Sequence, residues 1–351
     1  MRIGFLRYDK RPGRIARGLF AFTSLLKVDY FYFTPDRVDV ENKIIRGLFF
    51  KNGKLVERET PYPDIVDDIY YFRYQSPALF RELSAYCAFV FTPLMGKAKV
   101  YELLRSNENT AAYLIETLKY SDCDIDDILL KHKSVILKPD MGNHGDNLYK
   151  LHKEKDNYIL QKETELLKIA PEDYRAQYVP LFTKNYVLQP YIRSRTNFDI
   201  PFHIRIHIRR GRRGEWGTRK IYPRIGKMGA LASNLERGGG STAEIGDFLP
   251  YELGAGWKKT YDKLVEISEI IPEVIQSGYN TLVDALGIDI GINREVDNEP
   301  KIFEVNAFPE VKGFELEACE AMARYYRFLI KTQTEKAKIN QEEGQWKEDI
   351  S

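Results

Sequence analysis

The stretch IFEVNAFPE, Ile302 to Glu310, sets two hard oxygen donors, Glu304 and Asn306, two positions apart in an apolar run. Side chains alternate across a strand, so the pattern predicts Ile302, Glu304 and Asn306 on one face and Phe303, Val305 and Ala307 on the other. Such a pair is either a solvated edge or one wall of a site, and the residues upstream bear on the choice. GIDIGINREVDNEPK reads as a strand and a polar turn leading back into the first stretch. A hairpin of the two sets Asp289 beside Glu304 and Asn306. Two carboxylates and a carboxamide oxygen suit Mg²⁺, which takes hard oxygen donors and leaves other positions to water and phosphate. Without a counter-cation the carboxylates repel one another, which favours a metal between them.

Positive charge is the natural complement to those acids. Lys138 ends the strand-like SVILK and precedes Pro139 and a loop containing Gly142 and Gly145, where backbone N–H groups can approach phosphate oxygens. In FHIRIHIRRGRRGEWGTRKIY, the plainest hairpin of the chain, His203, Arg205, His207 and Arg209 face one way and Ile204, Ile206 and Ile208 the other. A guanidinium at Arg205 suits a transferring phosphoryl group. Arg210, Arg212 and Arg213 fall in the turn and read as solvated. His203 and His207 stand roughly 13 Å apart along a strand, too far to share one ion. YVLQPYI offers Gln189, Pro190, Tyr191 and Ile192 where a strand becomes a loop, a place for backbone groups to meet a base edge. ASNLERGGGS sets Asn234 and Arg237 before three glycines. Neither G-x-x-x-x-G-K-[ST] nor G-x-G-x-x-G occurs, so the P-loop and the usual dinucleotide fingerprint are not supported.

The rest of the chain bounds these readings. At 351 residues it is long enough for two or three units with real cores, and a formal charge of +2 announces neither nucleic acid nor a membrane surface as partner. Three separated cysteines, Cys87, Cys123 and Cys319, fit reduced thiols. With no signal-like segment and no span of membrane length, the expected location is cytoplasmic. RIGFLRY, RIARGLFAFTSLL and VDYFYFT form a β-α-β opening, followed by a hairpin through Asn52-Gly53. KAKVYELLRS predicts a helix, residues 151–184 read as charged and helix-permissive, and a helical period from Trp257 is interrupted at Pro272. The tail after residue 330 is charged, lacks a sustained apolar stripe and is expected to fray.

Taken in order, Lys97, VILKPDMGNHGDNLYK, VLQPYI, PFHIRIHI, ASNLERGGG, GIDIGI and FEVNAFP resemble the successive blocks of the ATP-grasp superfamily, and most nearly its YheC/YheD family of endospore coat-associated proteins. The resemblance implies an α+β fold in which two lobes clasp ATP, preceded by a small Rossmann-like α/β domain. It places that domain at residues 1–95 and the ATP-grasp domain at 96–330, with a small lobe at about 100–192 and a large lobe at about 193–330. It implies Lys97, Lys138, Gly142 and Gly145 on the phosphates, Gln189 to Ile192 at the adenine, and Asp289, Glu304 and Asn306 on Mg²⁺. Arg205 and Asn234 would reach the terminal phosphate, with Arg224 and Arg237 toward the acceptor. The chain departs from the common pattern in reading His203-Ile204-Arg205 and in having Pro190 after Gln189, which leaves Asp199 to take the ribose. The implied activity is ligation of a carboxylate to an amine through an acyl phosphate, the substrates being small molecules, peptides or glycans and the partners spore coat proteins. A kinase acting on a hydroxyl or sugar and a non-catalytic coat component are the alternatives on the same scaffold.

Overall fold

The structure, a computed structural model, describes residues 1–348 except 95, 141–146 and 234–239, with side chains described through 332. Its strands fall into three sheets. In the first, Arg2–Leu6 and Asp29–Phe33 run parallel and are joined by the helix Arg14–Leu25, while Ile65–Asp67 lies parallel on the other side of Arg2–Leu6. The antiparallel hairpin Ile44–Lys51 with Lys54–Pro61 turns at Asn52 and Gly53, whose φ angles of 52° and 77° are the positive values such turns require.

One face of this sheet buries Leu19 and Phe20 of its own helix together with Cys319, Met322, Tyr325 and Tyr326 of the helix Glu315–Glu348. The end of the chain therefore completes the core of its beginning. The division implied by the resemblance puts residues through 330 in the ATP-grasp domain, and the charged tail beyond is expected to fray. Instead the helical backbone continues to Glu348. Once a helix is nucleated and docked, each further residue adds one backbone hydrogen bond at little extra cost.

The second sheet is antiparallel, in the order Glu165–Ile169, Asn157–Lys162, Tyr149–Glu154, Ser134–Pro139, Tyr186–Pro190, Leu118–Lys119. Two of these strands lie where the sequence read a helix-permissive stretch. The positive φ of Lys155 and Glu163 closes the two tight turns that make them possible, and neither residue type advertises a turn.

The third sheet is also antiparallel, in the order Ser241–Thr242, Trp216–Ile225, Phe202–Arg210, Ala285–Asn293, Glu299–Asn306. One face carries Ile204, Ile206, Ile208, Ile288, Ile290 and Ile292 into the largest core, against the helix Trp257–Ser277. Each fully buried isoleucine contributes about 1.5–3 kcal/mol relative to exposure. That helix passes unbroken through Pro272, which sits on its buried side. Helix Lys97–Arg105 adds Val100 and Leu104 to the same core, so it packs on the third sheet.

The strand of the opening quotation departs from simple alternation. Asp289 pairs with Glu304, but Ile290 pairs with Ile302, leaving Phe303 as the extra residue of a β-bulge. Ile302 consequently turns into the core beside Val305, opposite to the face expected for it. Phe303 lies over Gly291, where any Cβ would collide with its ring.

Candidate functional site

The polar face of the third sheet is built by register. His203 lies opposite Arg224, Arg205 lies between Tyr222 and Asp289, and Asp289 lies opposite Glu304, with Asn306 one step along. The isoleucines between them fix the orientation, because a slip of one residue would put guanidinium and carboxylate groups into the core.

Asp289 is the hub. Arg205 donates to it twice, Nε to Oδ1 at 2.5 Å and Nη2 to Oδ2 at 2.8 Å. His203 Nε2 lies 3.1 Å from Oδ1, and Asn306 Nδ2 lies 3.4 Å from Oδ2. Burial alone would raise the Asp289 pKa, but Arg205 and His203 outweigh it and hold the carboxyl well below the usual carboxylate range. His203 is fixed from its other side, with Nδ1 2.6 Å from Ser233 Oγ. The fold itself supplies counter-charge to these acids, Arg205 on Asp289 and Lys97 on Glu304.

Lys97, the first residue of its helix, reaches across to Glu304, Nζ to Oε1 at 3.0 Å. Lys138, on the second sheet opposite Val187, is near enough for the charge of Glu304 to act on it. Burial, and after it the repulsion of Lys97, lowers the Lys138 ammonium to about 8. Among the described residues Lys138 makes no hydrogen bond or ion pair. The two lysines thus repel one another beside Glu304, with the charge of Asp140 also acting on Lys138.

The donor set fits Mg²⁺ in kind: two ionisable carboxylates and an amide, all hard oxygen donors. Glu304 leaves Oε2 unengaged among the described residues, and Asn306 leaves Oδ1. Asp289 already accepts at both oxygens, so it joins a cation only by yielding its weakest contact, that to Asn306 at 3.4 Å. Among the described residues no group of three His, Cys, Asp or Glu side chains converges so as to hold a metal ion by itself.

The segment leaving the second sheet carries a second cluster. Gln189 donates through Nε2 to Thr117 Oγ1 at 2.7 Å, Pro190 pairs with Val135, and the Tyr191 N–H bonds the Ser134 carbonyl at 3.1 Å. Lys150 lies 4.0 Å from the centre of the Tyr191 ring, and Arg195 donates to the Tyr191 hydroxyl at 2.9 Å. Asp199, in a left-handed conformation, lies 3.3 Å from Arg193 and 3.5 Å from Arg195, well exposed rather than paired with the Asp289 hub. Burial, then Arg195, lowers the Lys150 pKa. Lys150, Arg195, Ser233 and Thr117 were not singled out from sequence. Among 53 lysines and arginines, a lone Lys in a strand carries no signal of its own.

Arg210, expected to be solvated, is buried. It donates to the Val283 and Gly214 carbonyls and to Gln276, and lies 4.0 Å from the centre of the Trp216 ring. Arg224 is buried beside Tyr222 and Glu310. Gly142, Gly145, Asn234 and Arg237 lie outside the described residues. No helix among the described residues is long and apolar enough to cross a membrane.

Residues 87–331 match the family model for the YheC/D-like ATP-grasp domain. The chain belongs to that family. The ATP-grasp chain is 26% identical over 232 residues to the endospore coat-associated protein YheC of Bacillus subtilis (strain 168), covering 64% of this chain and 62% of the relative. To YheD of the same strain, also named endospore coat-associated, it is 22% identical over 297 residues, covering 80% of this chain and 64% of the relative. It thus spans less than two-thirds of either relative's length. Among solved structures, the D-cycloserine synthetase DcsG is similar at a TM-score of 0.49 and 10% identity, covering 92% of this chain and 99% of that one. The ATP-grasp ligase PsnB, complexed with minimal precursor, Mg and ADP, is similar at 0.47 and 11% identity, covering 94% and 98%. The fold class is therefore ATP-grasp, of mixed α and β content.

Proposed function

We propose that this chain is an ATP- and Mg²⁺-dependent ligase that joins a carboxylate to an amine through an acyl phosphate. The observation that carries the reading is the juxtaposition of Lys138 and Lys97 with Glu304, on the strand that pairs Glu304 with Asp289. A cationic bed facing hard oxygen donors is what a metal–triphosphate requires.

In this reading Lys97 and Lys138 take phosphate oxygens, and Arg205, anchored by Asp289, offers Nη1 to the transferring phosphoryl group. Gln189 through Ile192 would meet the adenine, with Asp199 at the ribose. Glu304, Asn306 and Asp289 would hold Mg²⁺, which when bound neutralises phosphate charge and orients the terminal group. His203 keeps Asp289 oriented from its seat on Ser233. The acceptor carboxylate oxygen attacks the γ-phosphorus as the bond to ADP breaks. The amine nitrogen then attacks the acyl carbon, phosphate leaves, and the amine proton passes to solvent. No protein nucleophile is needed, and the protein's part is alignment and charge stabilisation. The acceptor would be a small molecule, peptide or glycan, and a role in spore coat assembly would follow if the chain shares its relatives' location.

The test is ADP release with Mg²⁺, ATP and panels of carboxylates and amines, with hydroxylamine added. A hydroxamate formed only with Mg-ATP and a carboxylate supports the ligase. Phosphate-ester formation without hydroxamate, or a complete lack of Mg-ATP binding by thermal shift, sinks it.

A further inference from the structure

A basic groove lies where the third sheet's hairpin turn meets the helix Glu315–Glu348. The turn at Gly211–Gly214 is held rigidly: the Gly214 N–H bonds the Gly211 carbonyl at 3.1 Å, and the Arg213 N–H bonds Glu215 at 2.6 Å. Gly214, at φ 78°, lets the Phe328 ring press so closely that a Cβ there would lie 2.5 Å from it. The contact fixes Arg212 and Arg213 over the helix.

Between turn and helix runs a groove of about 530 Å³ lined by Arg212, Arg213, Arg324, Arg327, Phe328 and Lys331. Arg324 is paired with Glu320 at 2.6 Å. Arg212, Arg213, Arg327 and Lys331 make no ion pair among the described residues. The chain as a whole carries only +2, so this concentration of like charge is local. Positions 324, 327 and 331 spread over one face for roughly 10 Å at the helical rise, a line of charge about three extended residues long rather than a pocket for a single ion. Leu26 and Phe328 give the groove an apolar floor. Guanidinium groups match carboxylates by bidentate hydrogen bonding, and an apolar floor suits a side chain set among them.

We propose that this groove binds an extended acidic polypeptide segment carrying an apolar residue among its carboxylates. The floor favours such a segment over a uniformly charged phosphate polymer, which would leave Leu26 and Phe328 uncovered. The site is independent of the nucleotide cleft and of the ligase reading.

The experiment is fluorescence anisotropy at low salt with a labelled peptide of repeated Glu-Leu-Glu-Glu, a second peptide with Ser replacing Leu, and inorganic polyphosphate as competitor. The Leu peptide is expected to bind and to weaken at least about tenfold in Arg212→Glu/Arg213→Glu and, separately, in Arg327→Glu/Lys331→Glu. Both pairs are exposed, so thermal midpoints should match wild type, and Lys54→Glu on the remote hairpin should bind normally. The proposal is overturned if the Leu peptide does not bind, if both reversed variants bind it unchanged, or if the Ser peptide binds equally and polyphosphate binds more tightly.

Discussion

Arg205 grips Asp289 through both carboxylate oxygens, at 2.5 and 2.8 Å, across two neighbouring strands of the third sheet. Both groups are largely withdrawn from water, so removing one strands the other's charge. Arg205→Ala is expected to cost about 3–5 kcal/mol of stability, whereas Arg205→Lys, which keeps the charge and loses the fork, should cost less yet still depress turnover. The pH dependence follows from the lowered pKa of Asp289. Its stabilising contribution is present above the unfolded carboxylate value near ~4 and is lost as pH falls toward the folded value. The gap between wild type and Arg205→Ala in denaturant titrations should therefore narrow below about pH 4. A gap unchanged down to acid unfolding would count against a charged pair.

Lys138 should behave oppositely, as a group held for a ligand rather than for the fold. Lys138→Met removes a half-buried ammonium without a described partner, so the thermal midpoint should hold or rise while Mg-ATP binding falls by at least about tenfold. Phosphates favour the ammonium and raise its pKa on binding. Starting from about 8 in the free protein, nucleotide affinity should decline as pH rises through that value and beyond. Calorimetric titrations from neutral to alkaline pH test this, since Lys138→Met should lack that part of the decline.

Gly18 and Cys319 bear on how the two ends of the chain unite. A Cβ on Gly18 would lie 2.7 Å from Cys319 Sγ, so helices Arg14–Leu25 and Glu315–Glu348 approach through the missing side chain. Gly18→Leu should overpack this contact and cost about 1–3 kcal/mol, offset only in part by better helix propensity. Hydrogen exchange should rise together in strand Arg2–Leu6 and in residues 318–326. Faster exchange in the first sheet alone would show that the helix is not part of its core.

What could be read from the sequence was local and periodic. The isoleucines of 204–208 announce their buried face, and the β-α-β opening follows from two apolar runs around a helical one. The side-by-side placement of Asp289 and Glu304 is the register of one hairpin. What could not be read depended on long-range packing or on breaks in the period. The bulge at Phe303 reverses Ile302 because alternation presumes an unbroken ladder. Arg210 looks like a turn residue until Trp216, Gln276 and Val283 close around it. The helix after Glu315 shows an apolar stripe, but nothing in its composition says that its partner lies some 300 residues earlier.

Asp284, buried immediately before the strand Ala285–Asn293, supplies the last test. Its Oδ2 lies 3.1 Å from Arg209 Nη1, while its Oδ1 is buried without a hydrogen-bond partner. Burial outweighs the attraction of Arg209 and raises the carboxyl to about 6. A raised folded-state pKa contributes stability fully present below the unfolded value, near ~4, and lost as pH rises through the folded value. Asp284→Asn keeps an oxygen for Arg209 but cannot ionise. Wild type and variant should therefore have similar stability below about pH 4, with the variant becoming the more stable of the two by about pH 7. Denaturant midpoints across that interval decide it. If the variant is the weaker at every pH, the Arg209 pair outweighs the burial of its acid, and the carboxyl is ionised throughout.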